Sequence, residues 1–193
     1  MKLNKYKIIL GSASPRRQQF FKDMNIDVEI RPQNVDEIYP SNLKAVEITD
    51  FLAQLKAEAY QNIAENEIVI TSDTIVWHEN KALGKPIDEL DAKAMLASLS
   101  GKTHEVITSV CFKTNDACHI INETTFVTFR ELTSEMIDFY VENFKPLDKA
   151  GAYGIQEWIG LVGVEKIEGS YTNVVGLPTA AVYEYLNQLN HQH

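Results

Sequence analysis

The chain has 193 residues, 45% of them hydrophobic, and carries a formal net charge of −9. That length supports one well-packed core, arranged as one domain or as two closely joined lobes. The acidity argues against wrapping a nucleic-acid backbone, which needs a basic surface, and no apolar run is long enough to span a bilayer. A small anion held in a local basic pocket, with a metal recruited beside it, remains compatible with the charge. Met1-Lys2-Leu3-Asn4-Lys5 turns straight into strand-like sequence and lacks the apolar stretch of a signal peptide, so a cytoplasmic location is expected. The two cysteines, Cys111 and Cys118, flank a hairpin turn at Thr114-Asn115-Asp116 and read as reduced structural thiols.

Tyr6 to Leu10 is a short apolar run of strand type, and Phe20, Phe21 and Met24 then recur at helical spacing. Ser14 suits the N-cap of that helix and Pro15 its first position. Arg16 and Arg17 therefore fall where the helix dipole is positive and unpaired N–H groups point outward, a poor place for cations. An anion there would satisfy the N–H groups and both guanidinium groups together, whereas the plainer reading is two solvated surface arginines. Val28 to Arg31 reads as a strand. A long helix follows, with Ala45, Ile48, Leu52, Leu55, Ala59 and Ile63 on one stripe. Ile68 to Val76 is a strand that His78-Glu79-Asn80-Lys81 turns back toward Ala82-Leu83. A helix from Glu89 to Leu99 ends near Gly101, which suits a C-cap. Val106 to Phe112 and Glu123 to Phe129 form a longer hairpin, and Thr133-Ser134-Glu135 opens a helix closed by Pro146. Leu161 to Ile167 reads as a strand and Thr179 to Leu189 as the last helix. Strands and helices interleaved in this way predict an α/β fold with a mixed sheet.

Several residues break local rules. Asp73 interrupts the β-branched run "IVITSDTIVW", where a buried carboxylate is costly unless it is paired or bound to metal. Its plainer reading is a strand-end cap. The hairpin after it brings "LGKP" back beside the strand, which predicts Lys85 close to Thr74 and Asp73. Lys56 lies one turn beyond Leu52 at the edge of the apolar stripe, a position that snorkelling lysines commonly take. Asp36-Glu37 would by default be an ordinary acidic loop. Residues 148–178 hold glycines at 151, 154, 160, 163, 169 and 176, which point to tight turns or close approach of backbone to a ligand. Gln156 is the side chain in that stretch best suited to reading a planar hydrogen-bonding edge. Neither a P-loop nor a dinucleotide-binding glycine pattern occurs.

Taken in order, "SASPRR" (12–17), "DE" (36–37), "LAQLKA" (52–57), "SDTIV" (72–76), "LGKP" (83–86), "GKTHEV" (101–106), "DKAGAYGIQ" (148–156) and "GSYTNVVGLP" (169–178) resemble the Maf family of nucleoside triphosphate pyrophosphatases. The resemblance implies one domain over residues 1–193, built as a mixed, twisted sheet with helices on both sides and two lobes around a deep cleft. It also implies a fold shared with inosine triphosphate pyrophosphatases. The implied reaction is cleavage between the α- and β-phosphates of a nucleoside triphosphate with a divalent metal, Mg²⁺ or Mn²⁺. By the same resemblance Ser12, Arg16 and Arg17 form a triphosphate cradle, with Lys56 and Lys85 closing it. Asp73 matches the catalytic carboxylate, which either orients or deprotonates the attacking water or holds the metal that activates it. Glu37 is the second candidate metal ligand. The implied partner is a small-molecule nucleotide, with no nucleic acid and no membrane, and family precedent points to a homodimer.

Arg16, Thr74 and Gln156 are similar to the branch of the family that acts on dTTP and UTP. The branch acting on 7-methyl-GTP carries Trp, Gln and Glu at those places. Lys145 and Ser109 depart from the common family pattern, where Glu and Gly are frequent. A rival reading is a non-catalytic nucleotide-binding regulator of cell division.

Overall fold

A computed structural model describes residues 6–191, so the reading of Met1 to Lys5 lies outside the described residues. The chain runs β1 (Lys7–Leu10), α1 (Pro15–Asp23), β2 (Glu29–Ile30), α2 (Val46–Glu58), β3 (Glu67–His78), β4 (Lys81–Leu83) and α3 (Glu89–Leu99). It continues through β5 (Thr103–Lys113), β6 (Cys118–Phe129), α4 (Ser134–Phe144), a 3-10 turn at Ala150–Ala152, α5 (Trp158–Gly163), β7 (Val164–Glu168), α6 (Tyr171–Val175) and α7 (Thr179–His191). The strands pair in the order β2-β1-β3-β5-β6-β7, with β4 also on β3. β1 runs parallel to β2 and β3, while β4 on β3 and β7 on β6 are antiparallel, so the sheet is mixed as predicted.

Two compact units make up the chain. One takes the described residues up to Asp73 together with Thr108–Glu123 and those from Gly176 onward; the other takes Thr74–Ile107 and Thr124–Val175.

In the first unit the period of two along each strand sorts the core. Ile8, Leu10, Ile68, Ile70, Val110 and Phe112 face one way and pack with Phe21 of α1 and with Val182 and Leu186 of α7. Ile9 and Val69 face the other way and pack with Tyr60 and Ile63, while Cys111 meets Ala53 and Ala57 of α2. Helices therefore cover both faces of this unit. Phe21 is fully buried, and its truncation to alanine would cost about 3–5 kcal/mol. The α2 stripe was expected to continue to Ile63, but the helix stops at Glu58. Tyr60 and Ile63 leave its line to cover Ile9 and Val69, and Asn62 takes a left-handed φ of 57°. The Lys113 ammonium then caps the helix end, donating to the Ala57 and Tyr60 carbonyls at 3.1 and 2.9 Å.

The second unit holds α3 packed on α4, each capped as its sequence suggests. The Asp88 carboxylate accepts from the Asp91 N–H at 2.8 Å, and the Thr133 hydroxyl accepts from the Met136 N–H at 3.3 Å. Gly101 follows α3 with φ 68°, in keeping with its reading as a C-cap residue. The family departure at Lys145 forms the left-handed C-cap of α4 and pairs with Glu89. The strand expected from Leu161 begins only at Val164; Leu161 to Gly163 belong to α5. A Cβ on Gly160 would lie 1.9 Å from the Ile155 carbonyl oxygen, so glycine at 160 is what lets α5 close there. The β-branched pattern of residues 161–167 gave no sign of that close approach.

Candidate active site

Asp73 closes the first unit at the end of a run of buried β3 residues, and the alternation of the strand decides where it points. Thr71 faces α2 and Val69 the residues just beyond that helix, so Asp73 lies on the same side of the sheet. The Thr71 hydroxyl donates to the Ala53 carbonyl at 2.7 Å and holds that helix against the strand. One turn further along α2, Lys56 reaches the same carboxylate. Its ammonium lies 2.6 Å from Asp73 Oδ1 and 2.9 Å from Glu37 Oε1. The lysine is not a snorkelling residue here: its side chain is 16% exposed and its head is spent on two carboxylates. Glu37 comes from the irregular segment between β2 and α2, and its side chain is the more exposed of the two acids. Burial pushes the Asp73 carboxyl above its ordinary value, and the charges of Lys56 and Arg17 pull it back.

The α1 end is built as its sequence predicts. The Ser14 hydroxyl accepts from the Arg17 N–H at 3.5 Å, Pro15 occupies the first turn, and no acidic residue falls there. Ser12, buried, accepts from the Ser14 N–H at 3.3 Å through its hydroxyl and from Gln18 Nε2 at 3.1 Å through its carbonyl. Gly11 is required for the close approach behind this turn. A Cβ there would lie 2.7 Å from the Tyr60 hydroxyl and 2.8 Å from Thr71 Cγ2.

Arg17 and Arg16 are not equivalent. Arg17 Nε donates to the Gly176 carbonyl at 2.8 Å and Nη1 to the Ser72 carbonyl at 3.1 Å, so its guanidinium ties α1 to the strand residue before Asp73 and to the segment before α7. Burial lowers its pKa, opposed by the charge of Asp73, with Arg16 lowering it further. Arginine still stays protonated in such a setting. The first unit thus holds Ser12, Arg16, Arg17, Glu37, Lys56 and Asp73, and around Asp73 it brings together Lys56, Glu37 and the charge of Arg17. The family departure at Ser109 lies on β5 in the same unit, where its hydroxyl donates to Asp50 Oδ1 at 2.6 Å and pins α2 to the sheet.

The fit of a divalent cation can be tested on this geometry. Two carboxylates converge on a single cationic point, already marked by an ammonium, and their oxygens suit a hard ion. Among the described residues no three His, Cys, Asp or Glu side chains converge, so any further ligands would be water and phosphate oxygens, as Mg²⁺ commonly takes. The residues fit the group.

The remaining candidates, Thr74, Lys85 and Gln156, lie in the second unit. The β3–β4 pairing stops at Val76 opposite Leu83, and Lys85 is exposed beyond it. Gln156 is exposed on the turn before α5. Three residues that the sequence reading did not single out hold that turn. Tyr140 accepts from the Gly154 N–H at 2.9 Å and donates to Glu157, and the buried Lys149 pairs with Glu157 at 3.1 Å. Lys149 stands inside "DKAGAYGIQ", but Tyr140 reads only as part of the apolar stripe of α4.

With that geometry in place, the chain belongs to the Maf-like protein family, which matches residues 7–189. It is 66% identical to a dTTP/UTP pyrophosphatase of Flavobacterium johnsoniae over 97% of each chain. It is also 59% identical to a dTTP/UTP pyrophosphatase of Flavobacterium psychrophilum, over 98% of this chain and 97% of that one. Among solved structures it is similar to the Staphylococcus aureus Ham1 protein, with a TM-score of 0.48 and 16% identity over 64% of this chain and 71% of that chain.

Proposed function

We propose that this protein is a nucleoside triphosphate pyrophosphatase that hydrolyses dTTP and UTP to the monophosphate and pyrophosphate. The observation that carries the reading is identity of 66% and 59%, across nearly the whole chain, to proteins named for that activity. The cluster around Asp73 supports it chemically. Asp73, buried and anchored on a strand, is the group to orient or deprotonate the attacking water. Arg16, the N-terminus of α1 and Lys56 are suited to the charge that grows on the leaving pyrophosphate. Arg17, bonded to two carbonyls, holds the Ser72–Asp73 backbone in register for that step. A divalent cation, Mg²⁺ or Mn²⁺, held by Asp73 and Glu37 would neutralise phosphate charge and polarise the water. The non-catalytic regulator is the weaker reading, since a chain that had lost catalysis would have little reason to keep a buried Asp73 paired with Lys56.

The pyrimidine preference is assigned to Gln156, and Thr74 and Lys85 to the substrate, on the family resemblance. Thymine and uracil present acceptor, donor and acceptor along the Watson–Crick edge. A Gln amide offers a donor and an acceptor to part of that edge, whereas a Glu carboxylate only accepts. Gln156→Glu should therefore lower kcat/KM for dTTP by about tenfold or more, because a pyrimidine carbonyl would face a carboxylate. The side chain is exposed, so thermal stability should not move. Steady-state kinetics on dTTP and UTP check this, and unchanged kinetics in the variant would remove Gln156 from base recognition.

A further inference from the structure

Two carboxylates of the first unit share one ammonium, and the geometry around that ammonium is lopsided. Asp73 sits on a buried strand, and α2 is fixed against it by the Thr71 hydroxyl on the Ala53 carbonyl and by Ala53 and Ala57 packed on Cys111. Neither backbone is free to move away. The Lys56 ammonium, by contrast, ends a four-carbon stem that can swing, with three rotatable donors. Glu37 reaches in from a segment without regular structure and pairs with the same nitrogen at 2.9 Å. A monovalent cation and a divalent cation cannot share a point between two carboxylates, because their mutual repulsion at contact distance is of the same order as the attraction each gains.

We propose that Lys56 is a resident stand-in for the divalent cation: in the nucleotide-free protein its ammonium occupies the point where Asp73 and Glu37 would hold that cation, and it leaves for phosphate oxygens when the nucleotide arrives. The inference rests on the pyrophosphatase reading and on the divalent ion that reading implies. Lys56 then has two states, bonded to carboxylates or bonded to phosphate. The stand-in keeps Asp73 and Glu37 from repelling one another, and it makes tight binding of the cation conditional on a nucleotide that gives the ammonium somewhere else to go.

The test uses Mn²⁺ binding to nucleotide-free full-length protein, read by electron paramagnetic resonance. Lys56→Gln should bind Mn²⁺ at least tenfold more tightly than wild type, because the ion no longer competes with the ammonium for the two carboxylates and only the Arg17 charge remains nearby. Lys56→Arg should bind it no better than wild type, and Lys56→Gln combined with Asp73→Asn should lose the gain. Unchanged or weaker Mn²⁺ binding by Lys56→Gln overturns the proposal. A second readout needs no variant. In wild-type protein, labelling of the Lys56 amine, followed by mass spectrometry, should rise at saturating Mn²⁺, and labelling that does not change counts against the stand-in role. Neither measurement contains nucleotide. A protein that hydrolysed dTTP but failed both would lose this inference alone, and one that passed both but released no pyrophosphate would lose the functional reading.

Discussion

Asp73 is the residue on which the chemistry turns, and its surroundings set the outcome of changing it. Asparagine fills nearly the same space but is neither a base nor an anionic ligand. Asp73→Asn should therefore reduce turnover by about 10²–10⁴-fold, the range a positioned general base supplies. Lys56 would keep Glu37 as a partner, so the variant should melt within a few degrees of wild type. Triphosphate binding should survive, since one negative charge near the phosphates is removed. Single-turnover kinetics and calorimetric melting check both halves, and near wild-type turnover would show that another group does this work. Arg17 invites a different expectation from Arg16. Because its guanidinium holds the Ser72 and Gly176 carbonyls, Arg17→Ala should lower kcat more than it raises KM for dTTP, and the split is read directly from initial rates.

The turn between the 3-10 turn and α5 is the element on which base recognition is proposed to depend. Its shape is enforced by Gly160. An added methyl group would meet backbone rather than a flexible side chain, at 1.9 Å from the Ile155 oxygen. Gly160→Ala should cost about 1–3 kcal/mol and raise KM for dTTP, as urea unfolding and initial rates would show. The sequence announced some elements well. Ser14-Pro15 marked the start of α1, Thr133 that of α4, and Gly101 the end of α3, because caps act within one turn of the chain. Where contacts distant in sequence decide, it announced little. α2 stops at Glu58 because Tyr60 and Ile63 are needed over Ile9 and Val69, and the carbonyls that take Arg17 carry no side-chain signature at all. For the site, residue types at motif positions named Asp73, Lys56 and Glu37, while their meeting at a single ammonium was visible only in three dimensions.

At the scale of the molecule, stability should carry the mark of one buried imidazole. His104 donates to or accepts from the Tyr153 hydroxyl at 2.7 Å and packs edge-on against Phe129 and Tyr153. Burial, with the charge of His78 adding to it, pushes its pKa down to about 3. The folded protein thus refuses a proton that the unfolded chain accepts below its ordinary value of 6.5. Stability from this group is complete above that value and is lost as the pH falls from there toward 3, by up to about 1.4 kcal/mol per pH unit. His104→Gln should flatten that loss, so urea midpoints at pH 7 and pH 5 should differ less in the variant than in wild type. Equal differences would mean that the imidazole is not held neutral by the fold. Among the described residues no helix is long and apolar enough to cross a membrane.

The most direct measurement is pyrophosphate release by the purified full-length chain across dTTP, UTP, CTP, GTP and 7-methyl-GTP, with Mg²⁺ or Mn²⁺. Hydrolysis should be fastest with dTTP and UTP, yield pyrophosphate and the monophosphate in equal amounts, and stop on chelation of the metal. A clear preference for 7-methyl-GTP or CTP, or release of orthophosphate in place of pyrophosphate, would contradict the account.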